Sequence, residues 1–204
     1  MKQLVFIIAI ICSISILFAS CSKDEETQTD AEKAEAAEAA AITAIGLNGT
    51  WKGACDSTSS GNYGAQSFVS SGTSFSANWS QYSDSECSTT ISSSIDALKI
   101  DLGEAYTLAD GNTAHKGVGT LVSKLLTYYT STLVSAANTL SLCEKEWEIN
   151  TAIDIAGLTC SGSEEDSAGL KTYFLYYING TSLQFGTSSA DNVTSLYAET
   201  YTKQ

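Results

Sequence analysis

The chain has 204 residues with 10 basic and 23 acidic side chains, a formal net charge of −13, and every basic residue is Lys. Such an acidic chain repels the phosphate backbone, which disfavours a nucleic-acid partner. Because Arg does not occur, the bidentate fork that proteins favour for gripping phosphates and carboxylates is missing, and anionic substrates are disfavoured too. Pro is also absent from the sequence, so Gly, Asn, Asp and Ser must form the turns.

Residues 1–20 are predicted to be a secretory signal peptide. Lys2 is followed by an apolar run from residue 4 to residue 18, and the small residues Ala19 and Ser20 precede Cys21. A cysteine after a small pair resembles the lipobox of bacterial lipoproteins, although Phe18 stands where that motif usually has Leu. The resemblance implies cleavage before Cys21 and attachment of lipid, such as palmitate, at this residue. The alternative is an uncleaved membrane anchor, but about 15 apolar residues are short for a spanning helix, which needs ~20.

Residues 21–46 are predicted to be the lipidated N-terminus followed by a tether. The segment is acidic and then rich in Ala and Glu, and no large apolar residue precedes Ile42. Its composition favours helix, but it has no apolar stripe to bury. We therefore expect a solvated, partly helical spacer between the membrane and a folded domain. A coiled coil is disfavoured because apolar heptad positions are missing.

Residues 47–204 are predicted to form a single all-β domain. Short segments rich in Thr, Ser, Tyr, Val and Ile alternate with clusters of Gly, Ser and Asn, which is typical of strands and turns. One hairpin is predicted over residues 68–79 with its turn at 71–73. A second is predicted over 172–185, where Asn179-Gly180 separates two β-rich runs.

Three other segments of the domain have different predicted structures. Residues 147–155 alternate apolar and polar side chains almost perfectly and predict a strand with one buried face. Residues 133–142 have apolar side chains at helical spacing and predict one short helix. Residues 194–201 fit either a closing strand or a turn of helix.

Four cysteines remain once Cys12 leaves with the signal and Cys21 takes the lipid. An even set in an oxidising compartment predicts two disulfide bonds. Of the three possible connectivities we favour nearest neighbours, Cys55–Cys87 and Cys143–Cys160, because each pair brackets one compact segment. A zinc site is disfavoured because no two of these cysteines form a Cys-x-x-Cys pair.

An ordered set of motifs runs through the domain from Gly49-Thr50-Trp51 in the predicted first strand. The set comprises Leu47-x-Gly-Thr-Trp-x-x-x-Cys55, Tyr82-Ser-Asp-x-x-Cys87, Asn138-x-x-x-x-Cys143-x-x-x-Trp147, Cys160, and Tyr-Tyr-Ile-Asn-Gly-x-x-Leu-x-Phe-Gly at 176–186. It resembles bacterial lipocalin-like lipoproteins of unassigned function within the lipocalin superfamily. The resemblance implies an up-and-down antiparallel barrel of about eight strands, which has room for side chains or one small ligand. The Arg that stacks on the corresponding Trp in true lipocalins is missing here.

The barrel interior is predicted to be rich in aromatic side chains. These could line an apolar pocket or simply fill the core, and the sequence favours neither. The aromatic candidates for ligand binding are Trp51, Phe68, Phe75, Trp79, Trp147, Tyr173, Tyr177 and Phe185, and the aliphatic candidates for the same interior are Ile149, Ile153 and Leu175.

Catalysis finds little support in the sequence. His115 is the only histidine, and we expect it to be a solvated loop residue because no oriented partners are marked for it. We therefore predict no enzyme activity, no cofactor and no metal. The leading hypothesis is a lipid-anchored protein of the bacterial cell envelope, with the outer membrane allowed, that binds a small apolar or amphiphilic ligand. The alternative is an envelope interaction module with a filled barrel, whose acidic surface meets a protein partner that the sequence does not identify.

Overall fold

The computed structural model describes residues 29–188, 190 and 193–204. The predicted signal peptide, the predicted lipidation site Cys21 and the first part of the predicted tether lie outside these residues. The chain divides into two units, residues 1–33 and 34–204. In the first unit, Thr29 and Glu32 form a capping box: the Glu32 carboxylate accepts from the Thr29 backbone N–H, and the Thr29 hydroxyl accepts from the Glu32 N–H. Helix α1, Asp30–Ala44, begins at this cap.

Among the described residues, twelve strands follow α1, and eight of them close into a barrel. Around the barrel the order is β1, β3, β4, β5, β6, β10, β11 and β12, and β12 pairs with β1 to complete the ring. Each pairing is antiparallel, so the predicted up-and-down barrel is confirmed. The barrel strands are Gly49–Lys52 (β1), Tyr63–Ser71 (β3), Ser74–Tyr82 (β4), Thr90–Thr107 (β5), Thr113–Tyr128 (β6), Lys171–Asn179 (β10), Ser182–Ser188 (β11) and Tyr201–Lys203 (β12).

Four short strands lie outside the ring. Asp56–Ser57 (β2) pairs with β3, and Ile153–Asp154 (β7) pairs with β6. Thr159–Cys160 (β8) and Ser163–Glu164 (β9) form a small hairpin of their own.

Both predicted hairpins are confirmed. The β3–β4 turn places Gly72 at φ +55°, and the β10–β11 turn places Gly180 at φ +61°, a left-handed conformation that glycine adopts without strain. For residues 194–201 the sequence allowed either a closing strand or a turn of helix. The closing strand is present, but it begins only at the last residue of that segment and covers Tyr201–Lys203.

One end of the barrel is closed by α1 and filled by apolar side chains. The Thr73 hydroxyl donates to the Glu35 carboxylate at 3.1 Å, and the Leu102 backbone N–H donates to Glu38. Ile42 near the end of the helix is fully buried in the same core as Leu47, and that core also contains Trp51, Ile100, Tyr176 and Leu183. The predicted spacer is therefore helical as expected, but the end of its helix is not a solvated tether, because it packs into the barrel core. No helix in the described part of the chain is long and apolar enough to cross a membrane.

Residues 129–170 form an insert between β6 and β10 with a core of its own. The predicted short helix is present as α2, Ser131–Thr139, capped by the Thr130 hydroxyl, and a 3-10 turn follows at Leu142–Glu144. Trp147 is buried in this insert beside Tyr128, with ring centroids 4.9 Å apart.

The prediction of a strand over residues 147–155 is wrong, since only Ile153–Asp154 is a strand there. The Asn138 side chain takes both backbone hydrogen-bonding groups of Trp147, at 2.7 and 2.9 Å, so those groups are not available to a ladder. Asn150 then adopts a left-handed conformation at φ +62°, which breaks the extended path. In this loop the apolar residues at the two ends of the pattern, Trp147 and Ile155, are buried, whereas Ile149 is exposed.

Both predicted cysteine pairs are disulfide bonds in the structure. Cys55 and Cys87 have Cα atoms 6.0 Å apart and join the chain after β1 to the β4–β5 loop. Cys143 and Cys160, with Cα atoms 4.2 Å apart, hold the 3-10 turn against β8 inside the insert.

Candidate ligand site

The barrel end away from α1 contains a cavity of about 340 Å³. Its floor is aromatic, because Phe68, Phe75, Phe174 and Phe185 meet below it. Phe68 is central to the floor, with its ring centroid 5.5 Å from that of Phe75 and 4.6 Å from that of Phe185. Aromatic surface arranged around a concave space is the usual lining of a small-molecule site.

Small residues on the strands leave the space above this floor open. Ala77 on β4 and Gly119 on β6 line the cavity, together with Leu98, Leu121 and Leu170. A Cβ atom at Gly119 would lie 3.3 Å from the Leu98 side chain, so even alanine at this position would require Leu98 to shift slightly.

The mouth of the cavity is polar. Asp96, Asp166 and Glu199 reach it from β5, the insert and the segment before β12. The remaining polar members of the lining are Gln66, Thr172, Thr187, Tyr197 and Tyr201. Leu170 and Tyr197 are about half exposed, so the cavity reaches solvent at this end.

Two tyrosines fix one side of the mouth. The Tyr201 hydroxyl donates to Gln66 Oε1 at 2.7 Å, which links β12 to β3 across the ring. The Tyr197 hydroxyl donates to the Thr187 carbonyl at 3.1 Å, and the Tyr197 backbone N–H donates to the Phe185 carbonyl at 2.7 Å. Burial raises the pKa of Tyr201 and the nearby Glu199 carboxylate raises it further, so the hydroxyl stays neutral and remains a donor.

Charge is unevenly balanced on the other side of the mouth. Lys124 lies opposite Asp96 in the β5–β6 pairing, but its ammonium contacts Glu165 at 2.8 Å and Asp166 at 3.7 Å. Burial lowers the pKa of Lys124, but the hydrogen bond to Glu165 and the surrounding carboxylates outweigh it and raise the pKa above its ordinary value. Lys124 is therefore a fixed cation that ties the insert to the barrel wall.

The pKa of Asp96 is also raised, which for a carboxyl group disfavours the charged form. Burial raises its pKa, the Lys124 charge counteracts this, and the charges of Asp166 and Glu165 add to the rise. Its Oδ1 atom is buried and has no hydrogen-bond partner among the described residues. An ionised carboxylate in this position is only partly compensated, because the Lys124 charge acts on it but its buried oxygen accepts no hydrogen bond from the described residues.

No family model matches the chain, and no curated protein matches it. The site is therefore interpreted from its own geometry. The closed eight-stranded antiparallel barrel is compatible with the lipocalin-like fold that the sequence motifs imply.

Three of the predicted interior residues, Phe68, Phe75 and Phe185, line the cavity. Trp51 is also interior, but it is fully buried in the closed end and is not part of the cavity lining. Its indole N–H donates to the Leu47 carbonyl at 2.8 Å, and Lys203 Nζ lies 5.1 Å from the ring centroid. A cation from β12 thus stacks on this Trp although the chain has no Arg, so the interaction is a cation–π contact made by Lys.

Four predicted site residues lie elsewhere. Trp79 shares the inward face of β4 but stands beyond the cavity, where it covers Gly64 and is 43% exposed. Trp147 belongs to the core of the insert. Tyr173 and Tyr177 lie on the other face of β10 from Phe174 and pack in a separate cluster outside the ring. The aliphatic candidates Leu175, Ile149 and Ile153 are likewise outside the barrel core, and Ile149 is 45% exposed.

The error on β10 has a physical reason. Both faces of this strand are apolar, because Tyr173, Leu175 and Tyr177 are covered by residues such as Ala114 and Val193. Alternation therefore cannot tell which face points inward. The neighbouring strand shows which face of β10 points inward. Gly117 on β6 leaves room for the Phe174 ring, because a Cβ atom at position 117 would lie only 2.5 Å from the nearest ring atom.

The structure also adds residues that sequence reasoning missed, namely Phe174, Tyr201, Asp96, Asp166 and Glu199. Their positions depend on the barrel closing, since the acids come from three distant parts of the chain and no local spacing connects them.

His115 is not the solvated loop residue that was expected. The turn ends at Asn112, whose backbone carbonyl accepts from the Leu108 N–H at 2.8 Å, and His115 already lies within β6. Its half-buried ring stacks beside Tyr176, with centroids 5.6 Å apart.

Proposed function

We propose that this protein is an extracytoplasmic, lipid-anchored binding protein of the cell envelope whose barrel takes a small apolar or amphiphilic ligand into the cavity at its open end. The observation that carries the proposal is the cavity itself, of about 340 Å³ and floored by four Phe rings. Ligand pockets in proteins are mostly apolar, with a few convergent polar groups, and span about 300–1,000 Å³.

The division of the barrel into two ends supports this function. The closed end is filled by fully buried side chains such as Trp51 and Ile100, and so supplies stability without needing a ligand. The open end keeps Ala77 and Gly119 in its walls, where larger residues would fill the space. A barrel that served only as a packed scaffold would gain stability from filling this end as well.

The proposed location draws on the cysteines and the N-terminal sequence. The two disulfide bonds suggest an extracytoplasmic location, because such bonds persist in oxidising compartments. Lipid anchoring at Cys21 is proposed from the lipobox-like sequence alone.

A ligand-uptake experiment tests the proposal. The mature chain, residues 21–204 with Cys21→Ser to prevent lipidation, is exported behind a cleavable signal and titrated with the neutral fluorescent probe N-phenyl-1-naphthylamine. We expect saturable binding with a blue shift of the probe emission, and native mass spectrometry should detect any small molecule that co-purifies. Absence of uptake in a folded sample would overturn the proposal.

Cavity-filling variants locate the binding. Ala77→Phe on β4 and Thr172→Phe on β10 each place a ring into the cavity from a different wall, and we expect either to abolish probe uptake. Ala97→Phe is the matched control, because Ala97 alternates with the cavity residues Asp96 and Leu98 and so lies on the outer face of β5. Uptake that survives in both filled variants, with melting curves showing that they fold, would place the ligand elsewhere.

A further inference from the structure

The chemistry of the mouth narrows the ligand class, given the binding function proposed above. We infer that the ligand is an organic cation, an amine or quaternary ammonium compound with an apolar body, whose charged head meets Asp96 and Glu199 while its body lies on the Phe floor.

The first argument is the charge at the mouth. Asp96, Asp166 and Glu199 line the cavity, and Glu165, next to Asp166 in the sequence, contacts the same lysine as Asp166. Lys124 is the cation that touches this group, and its ammonium is directed to Glu165 and Asp166. Among the described residues, neither Asp96 nor Glu199 takes part in an ion pair. The mouth therefore has more negative charge than its own lysine balances.

The second argument is the burial of Asp96. One of its oxygens is shielded from solvent without a hydrogen-bond partner in the described structure. A buried carboxylate costs free energy unless it is paired, and removing one partner of a buried pair leaves that cost uncompensated. An ammonium group held in the cavity beside Asp96 would provide the missing charge.

The third argument is the floor. The faces of aromatic rings carry negative potential and attract cations that lie within about 6 Å of the ring centroid. Phe68, Phe75 and Phe185 pack against one another and line the same cavity as the carboxylates. The same arrangement repels a fatty acid, whose carboxylate would meet Asp96 and Glu199 at the mouth.

Three ligands that share one chain test the inference. Octyltrimethylammonium, octanol and octanoate are used to displace N-phenyl-1-naphthylamine from the same mature chain at low and high salt. We expect the ammonium compound to displace the probe at a concentration at least tenfold lower than octanol, and octanoate to be the weakest. High salt should weaken only the ammonium compound, because screening acts on the charged pair.

Charge-removing variants identify the carboxylates. Asp96→Asn and Glu199→Gln should each weaken displacement by octyltrimethylammonium about tenfold relative to displacement by octanol. Asp101→Asn is the matched control, since Asp101 is an exposed residue on the same strand as Asp96.

The outcomes separate this inference from the proposed function. If octanol and octyltrimethylammonium displace the probe equally, or if both variants retain full affinity for the ammonium compound, the barrel still binds apolar ligands but the cation preference is overturned. If the probe itself does not bind, the proposed function fails and the inference fails with it.

Discussion

Asp96 combines a structural cost with a place in the candidate site. It is partly buried, one of its oxygens is unpartnered, and burial raises its pKa. Residues of this kind are common at binding sites, where the free energy lost in the empty protein is regained when a ligand binds. The conflict between stability and binding can be measured at this single position.

We predict that Asp96→Asn stabilises the empty protein at neutral pH. A carboxyl whose pKa is raised in the folded state is protonated in both states at low pH, so it costs nothing there, and its cost develops as the pH rises through the ordinary Asp range of about 4. The variant should therefore melt a few degrees higher at pH 7 and at the same temperature as the parent near pH 3; ~1 kcal/mol corresponds to about 2–4 °C for a chain of this size. A lower melting temperature at pH 7 would contradict the assignment of Asp96 as a buried, uncompensated charge.

Asp84 is the opposite case. Its carboxylate accepts from the Ser88 backbone N–H at 3.0 Å, the Thr89 backbone N–H at 2.7 Å and the Ser88 hydroxyl at 3.0 Å. These hydrogen bonds, led by that from the Ser88 backbone, lower the pKa of Asp84 to about 2. They shape the β4–β5 loop that carries Cys87.

Asp84→Asn is predicted to lower stability in a pH-dependent way. Because the folded-state pKa is depressed, the contribution of Asp84 is complete above the ordinary Asp pKa of about 4 and is lost as the pH falls towards 2. The difference in melting temperature between parent and variant should thus be largest at neutral pH and shrink on acidification. Glu86→Gln, an exposed residue of the same loop, controls for the change in net charge, and a difference independent of pH would argue against the loop assignment.

Helix α1 shows how an element that looks solvated from its sequence can contribute to a core. Most of its residues are exposed, but Ile42 is fully buried among the side chains of the closed barrel end. The sequence pattern shows the first large apolar residue at this point, yet a single apolar residue does not reveal what it will pack against. That partner surface exists only after distant strands have joined.

Replacement of Ile42 by Ala measures the contribution of α1. We expect a loss of about 2–5 kcal/mol in the free energy of unfolding, the usual range for removing a buried Ile. Ile45→Ala is the matched comparison, because Ile45 is only half-buried against the same core and should cost less. Equal small effects in denaturant titrations would mean that the helix docks too weakly to belong to the core.

The strands divide into those that local sequence determines and those that it does not. The β3–β4 and β10–β11 hairpins were predictable because their turn residues, Gly72 and Asn179-Gly180, fix the reversal of the chain. The inward face of β10 and the loop at residues 147–155 were not, because in both places apolar residues are covered from outside the barrel. Alternation on β10 indicates that side chains are buried but does not indicate on which side of the strand, and at residues 147–155 it does not require a strand at all.

For the whole molecule, the barrel class and both disulfide bonds followed from the sequence, whereas the acidic mouth did not. Each strand and each turn has its own local sequence signal, so the number of strands can be predicted by counting these signals along the chain. The mouth assembles Asp96, Asp166 and Glu199 from segments that meet only when the ring closes.

Removal of either disulfide is predicted to lower global stability. A loop of the size closed by Cys143–Cys160, with a sequence separation of 17, is worth ~3 kcal/mol in the chain-entropy model, and the separation of 32 for Cys55–Cys87 gives a slightly larger value. Paired Cys→Ser variants at each bridge, compared by denaturant unfolding, test these values. If neither pair of substitutions shifts the unfolding midpoint, the bridges do not constrain the unfolded chain as the model requires.

The closure of the barrel by β1 and β12 also bears on how the chain matures. Trp51 pairs with Lys203 and Phe68 packs on Tyr201, so the seam joins residues about 150 positions apart in the sequence. Contacts this remote form slowly, because the entropy cost of closing a long loop comes before the free energy gained from the contacts. A chain threaded through a translocon from its N-terminus would thus hold β1, β3 and β4 as an open sheet, with their Phe residues unshielded, until residues 201–203 had emerged. Throughout that interval the nascent protein would depend on holding chaperones to prevent aggregation.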